Sequence, residues 1–176
     1  MLVVHGTRAF RDRVLGLAAA PEDVSTTLLG PWYATVLRWR RPVALLANTT
    51  TLLPLLTPLA PAGTLLERIP GAIAELLAAH HIPATVVAAE RAAMTEVRLT
   101  TTASRSILGV QNEFAHLADI LRADNDGLLE LSLQLAATPL SPLYRRHVSP
   151  DRELAALVAE QPTRRQRGAD RATGLS

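Results

Sequence analysis

Hydrophobic and polar positions along this chain fall into short blocks. Residues 1–5 (MLVVH) make an apolar run of strand length, and Thr7 to Leu15 follows at helical spacing. The next stretch, AAAPEDVSTTLLGP, holds Pro21, Gly30 and Pro31 as breakers and reads as a connector. Trp32 to Arg40 (WYATVLRWR) is dense in β-branched and aromatic residues, the strongest strand signal in the chain. Arg41–Pro42 breaks it, and Val43 to Asn48 (VALLAN) is a second apolar run. The pair reads as a hairpin whose second strand, lacking polar alternation, is the more central. Thr50 to Leu56 reads as a short helix or turn. Pro70 to His81 predicts a helix, with proline tolerated at its first position and Ile69, Ile73, Leu76 and Leu77 on one face. Pro83 opens another helix through Ala93. Glu96 to Thr102 alternates and is threonine-rich, so it reads as a strand. Arg105 to Ala123 and Leu128 to Ala137 are helical, the second closed by Thr138–Pro139. Ser149 is placed to cap a last helix, with Pro150 at its first position and Asp151 in its first turn.

The order β-α-β-β-α-α-α-β-α-α-α predicts an α+β fold: a small, at least partly antiparallel sheet of about four strands, with several helices packed on one face. Residues 1–160 are expected to form one globular domain, and 161–176 a flexible Arg-rich tail.

Composition sharpens this picture in two places. The chain is 48% hydrophobic but only 3% aromatic, so aliphatic side chains fill the core. The net charge is +2, yet Gln161 to Ser176 hold four arginines against Asp170, a surplus of +3 that leaves −1 on residues 1–160. A nucleic-acid-binding domain carries its basic face on the fold, so contact with nucleic acid is expected only as weak contacts of the tail. The absence of cysteine excludes disulfides and thiolate metal sites. MLVVHGTRAF lacks the pattern of a secretory signal, and Pro42 to Leu66, though uncharged, is interrupted by threonines and prolines. A cytoplasmic protein without membrane attachment is expected.

Candidate chemistry is sparse. Neither a glycine-rich phosphate loop nor a nucleophile elbow is present in the sequence. His80 and His81 are adjacent, so on a helix their rings diverge by about 100° and do not share an ion; no metal and no cofactor is expected. The helix after Ser104 is two-faced. Ile107, Val110, Phe114, Leu117, Ala118 and Leu121 form an apolar stripe, and Arg105, Gly109, Asn112, His116 and Asp119 lie along the opposite edge. That edge is either a solvated surface or a polar site, with Arg105 near the helix N-terminus to hold an anion and His116 as the candidate proton-transfer residue.

Three blocks carry a resemblance. They are Trp32-x-Ala34 with a strand ending Ala47–Asn48 and then Thr50–Thr51; SRSILGVQNEF at residues 104–114; and LLELSLQLAATPL at residues 128–140. Over roughly residues 1–143 the chain resembles an uncharacterised family of small bacterial proteins with no assigned activity. Thr35 and Ser132 stand where that family pattern has asparagine. The resemblance implies no catalytic residue; it points to Trp32, Asn48, Arg105, Gly109 and Asn112 as positions of interest. Two functional expectations follow. The first is a non-catalytic protein-binding or regulatory module with a partner encoded nearby, of the kind found in toxin–antitoxin or plasmid-maintenance systems. The alternative is a small enzyme or ligand-binding protein for a phosphorylated or nucleotide-like ligand. In that case Arg105, Asn112 and His116 are expected to line a concavity with Trp32 or Asn48.

Overall fold

The computed structural model describes residues 1–20, 22–102, 104–124 and 127–160. The expected tail, 161–176, lies outside the described residues. The strands are β1 (Leu2–Gly6), β2 (Trp32–Leu37), β3 (Val43–Asn48), β4 (Pro54–Pro58) and β5 (Val97–Thr101). The α-helices are α1 (Arg8–Arg11), α2 (Leu65–Ala79), α3 (Ala84–Ala93), α4 (Arg105–Leu121), α5 (Leu128–Ala136) and α6 (Pro150–Ala159). The fold is α+β. The sheet order is β4-β3-β2-β1-β5, with β1 parallel to both β2 and β5, and β3 antiparallel to both β2 and β4.

The sheet has five strands rather than about four, because the segment read as a short helix or turn supplies β4. Its register is Val43↔Pro58 through Ala47↔Pro54. Two prolines mask the strand signal, yet they are compatible with an edge, where a missing N–H breaks few ladder bonds. The outer side of β4 is covered by α5: the Leu56 N–H donates to Ser132 Oγ at 2.9 Å, and that hydroxyl donates to Leu128 O at 2.7 Å. The opposite edge is also covered. Leu99 N donates to Leu17 O and Ala19 N donates to Leu99 O, both at 2.9 Å, so residues 17–19 run along β5. Both sheet edges are thereby closed to further pairing.

Helix α2 begins at Leu65, and Pro70 lies inside it. Leu65 and Leu66 extend the buried stripe of Ile69, Ile73, Leu76 and Leu77 by a further turn, and that burial outweighs one absent helical hydrogen bond. Ser149 stands before α6 as expected, but its hydroxyl bonds to Asp151 rather than to a helix N–H.

Helices cover both faces of the sheet, not one. On the first face Leu2, Val4, Trp32, Ala34, Ala44, Leu46 and Leu55 pack with Phe10 of α1, the α2 stripe and Leu154 of α6. On the second, Leu37, Val43, Leu45, Ala47 and Leu56 pack with Val110, Phe114 and Ala118 of α4 and with Leu131 and Leu135 of α5. The second layer stops at β2. Val3 and His5 of β1 and Arg98 and Thr100 of β5 also point to that face but lie outside the α4–α5 core. Among the described residues, half of the second face therefore has no helix over it. None of the described helices is long and apolar enough to cross a membrane.

Candidate functional site

The expected concavity between α4 and the Trp32–Asn48 hairpin does not form. Trp32 and Asn48 are cross-strand partners whose side chains occupy the first face, whereas α4 lies on the second. The sheet separates them. Trp32 is fully buried, and its Nε1 has no partner among the described residues. Asn48 is also fully buried and saturated. Its Nδ2 donates to Leu29 O (2.9 Å) and Pro31 O (3.3 Å), and its Oδ1 accepts from Thr50 N (3.0 Å), Thr51 N (2.9 Å) and Thr51 Oγ1 (3.0 Å). The strand-Asn-x-Thr-Thr block thus closes a turn on itself and clamps it to the connector ahead of β2. Thr50 Oγ1 adds a bond to Leu29 O at 3.1 Å.

Arg105, Asn112 and His116 are exposed on the outer surface of α4. A Cβ built on Gly109 would meet nothing within 4 Å, so this glycine is not there for close packing. Asp119, at the end of that edge, accepts from Trp39 Nε1 at 2.7 Å and pairs with Arg122, whose guanidinium lies 5.1 Å from the Trp39 ring centre. The buried amide of α4 is instead Gln111, which donates to Tyr33 O at 3.0 Å and Leu45 O at 3.4 Å and fixes the helix to the sheet.

The concave, chemically varied surface is the open half of the second face. His5 and Tyr33, neighbours across β1 and β2, stack with ring centres 4.6 Å apart and planes 18° from parallel. His5 Nδ1 lies 3.1 Å from Thr101 O. A carbonyl oxygen only accepts, so Nδ1 carries the proton, and in the neutral tautomer Nε2 is left as the acceptor. The Tyr33 hydroxyl accepts from Ser104 N at 3.1 Å, which ties the stack to the N-terminus of α4. Over β1 and β5 lies a cavity of about 330 Å³ whose walls include Val3, His5, Asp23, Ser25 and Thr100. Asp23 Oδ2 accepts from Ala20 N at 2.8 Å and Ser25 Oγ from Val3 N at 2.9 Å, so both loop residues are held at its rim. The second helical layer stops at β2, and Ala19, Ala20, Asp23, Val24 and Ser25 of the connector, not a helix, border β1 and β5 on this face.

The sequence reading did not single out His5, Asp23, Ser25, Tyr33 or Thr100. A signal was present: Arg98 and Thr100 alternate with Leu99 in a strand that also carries a buried face, which marks the other side as wet.

A larger hollow of about 720 Å³ lies between α3 and the connector, beside Glu90. Its carboxylate is already used, accepting from Leu28 N at 2.6 Å and Leu29 N at 3.1 Å. Burial pushes its pKa above the ordinary 4.5 despite those two N–H donors. An acid whose folded pKa is raised contributes its full stability below the unfolded value and loses it as pH climbs through the folded value. The stability of the native chain relative to Glu90→Gln is therefore expected to fall as pH rises above 4.5, measured by urea unfolding at a series of pH values. A difference independent of pH contradicts this. His80 is shifted the other way: burial lowers its pKa more than Asp151 raises it. The ring is held towards neutrality, although the end of a helix favours a cation.

A family model described as a domain of unknown function (DUF6933) matches residues 3–153, and the chain belongs to that family. No curated protein and no solved structure matches it.

Proposed function

We propose that this member of the family is a ligand-binding domain whose site is the open half of the sheet over β1 and β5. The supporting observation is the cavity of about 330 Å³ over the two strands, lined by His5, which stacks on Tyr33, and by the anchored loop residues Asp23 and Ser25. Its volume falls at the lower end of the small-molecule range. The polar edge of α4 is the weaker candidate, because Arg105, Asn112 and His116 stand on an outer helix surface with both asparagine and tryptophan of the hairpin behind the sheet. Thr100→Trp fills the cavity from an open strand face that tolerates a large aromatic. Compounds from a small-molecule set that raise the melting temperature of the native chain are expected to leave Thr100→Trp unshifted. A set with no active compound, or shifts that persist in the variant, would overturn the assignment.

A protein partner is the second reading, favoured by Leu15 and Leu17, which are 82% and 61% exposed. They border a hollow of about 480 Å³ with Leu66, Pro70 and Met94 among its walls. A partner encoded nearby, as in toxin–antitoxin or plasmid-maintenance systems, would dock there. Co-purification from the native host tests this: a stoichiometric partner lost on Leu15→Asp supports it, and a chain that stays monomeric and alone counts against it.

A further inference from the structure

We infer that the cavity over β1 and β5 selects a small organic cation with a flat head, of the amidine or guanidine type. This rests on the reading of that cavity as a ligand site and adds the chemistry of what enters it. Three observations combine. First, the polar lining is rich in acceptors. His5 presents Nε2, because its Nδ1–H is committed to Thr101 O at 3.1 Å. Asp23 spends Oδ2 on Ala20 N and keeps Oδ1. Second, among the described lining residues Asp23 is the one carboxylate, and neither lysine nor arginine is among them. Arg98, on the same strand face, is paired with Glu96 at 2.6 Å and lies outside the lining. An anion would face a carboxylate with no arginine or lysine to offset it. Third, the shape suits a planar group. Tyr33 covers one face of the His5 ring, and in the row Tyr33–His5–Thr100 across three strands the other face turns towards the cavity, with Val3, Ala19 and Pro31 as apolar walls. A flat cation stacks on that ring while its N–H groups meet Asp23.

Benzamidine and benzoate are suitable probes, being similar in shape and opposite in charge. Titration calorimetry on the full chain is expected to show saturable binding of benzamidine and none of benzoate. Asp23→Asn retains an oxygen for Ala20 N and is expected to weaken benzamidine by roughly three- to five-fold, the worth of a part-exposed charge pair. His5→Ala removes the ring that the cation stacks on and is expected to weaken it as well. Nitrogen-15 NMR of the His5 ring supplies an independent readout, with the proton expected on Nδ1. Equal binding of both probes, binding of benzoate alone, no binding of benzamidine, or an Asp23→Asn variant indistinguishable from the native chain each overturns the cation assignment. Benzoate binding that is blocked by Thr100→Trp would sink the cation while leaving the ligand site standing. Loss of the site itself is read from the Thr100→Trp melting experiment.

Discussion

Asn48→Leu is expected to cost about 4 kcal/mol of folding stability, enough to threaten a domain of this size. Asn48 is fully buried, and its amide makes five hydrogen bonds that join the end of β3, the Thr49–Thr51 turn and the connector at Leu29 and Pro31. Leucine keeps the branching at Cγ but leaves buried N–H and C=O groups without partners, and each such group costs about 1–3 kcal/mol. Asn48→Asp keeps the acceptor, loses both donors and adds a buried charge, so it is expected to do no better. Thr51→Val removes two of the turn's bonds, to Asn48 Oδ1 at 3.0 Å and from Leu53 N at 3.2 Å, and is expected to cost about 1–2 kcal/mol. Equilibrium urea unfolding measures all three. An Asn48→Leu chain of native stability would mean that this asparagine is held for a ligand and not for the fold.

Phe114→Ala is expected to cost about 3–5 kcal/mol, the usual loss when a buried phenylalanine leaves a cavity. Phe114 is fully buried at the centre of the second layer, where α4 meets Val43, Leu45 and Ala47. The loss is expected to be local in character as well. Gln111, one turn earlier, holds α4 to Tyr33 O and Leu45 O, and Ser104 N holds its start to the Tyr33 hydroxyl. Loosening the helix should therefore reach the His5–Tyr33 stack. Hydrogen exchange is expected to show faster exchange of the α4 amides and of Ser104, with the β3–β4 ladder protected. Uniform loss of protection would contradict this picture of a helix docked on one half of the sheet.

Much of this architecture is legible in the sequence, and the failures have physical causes. The bounds of β3, α3 and α4 follow from apolar runs and breakers, and the stripe of Val110, Phe114 and Ala118 is the one that docks. β4 escaped because Pro54 and Pro58 read as breakers, while an edge strand covered by Ser132 tolerates both. The number of helical layers escaped because periodicity says which side of a helix is buried, not which side of the sheet receives it. That gap is why α4 and the Trp32–Asn48 pair were expected to meet. Trp32 and Asn48 share a parity along β2 and β3 with the first face, whereas Tyr33, one residue from Trp32, and Leu45, three from Asn48, meet α4. The polar edge of α4 is conspicuous in the sequence because it is wet. The open half-sheet is inconspicuous because its residues come from β1, β2, β5 and a connector, joined only by long-range pairing.

On the proposed reading, this chain binds its ligand over β1 and β5 and not along α4. Amide chemical-shift mapping on the full, nitrogen-15-labelled chain, titrated with a small-molecule fragment set, tests it most directly. Perturbations are predicted to gather at Val3, His5, Ala19, Ser25 and Thr100 and to leave Arg105, Asn112 and His116 unmoved. Perturbations centred on those three α4 residues, with the β1–β5 group silent, would contradict it.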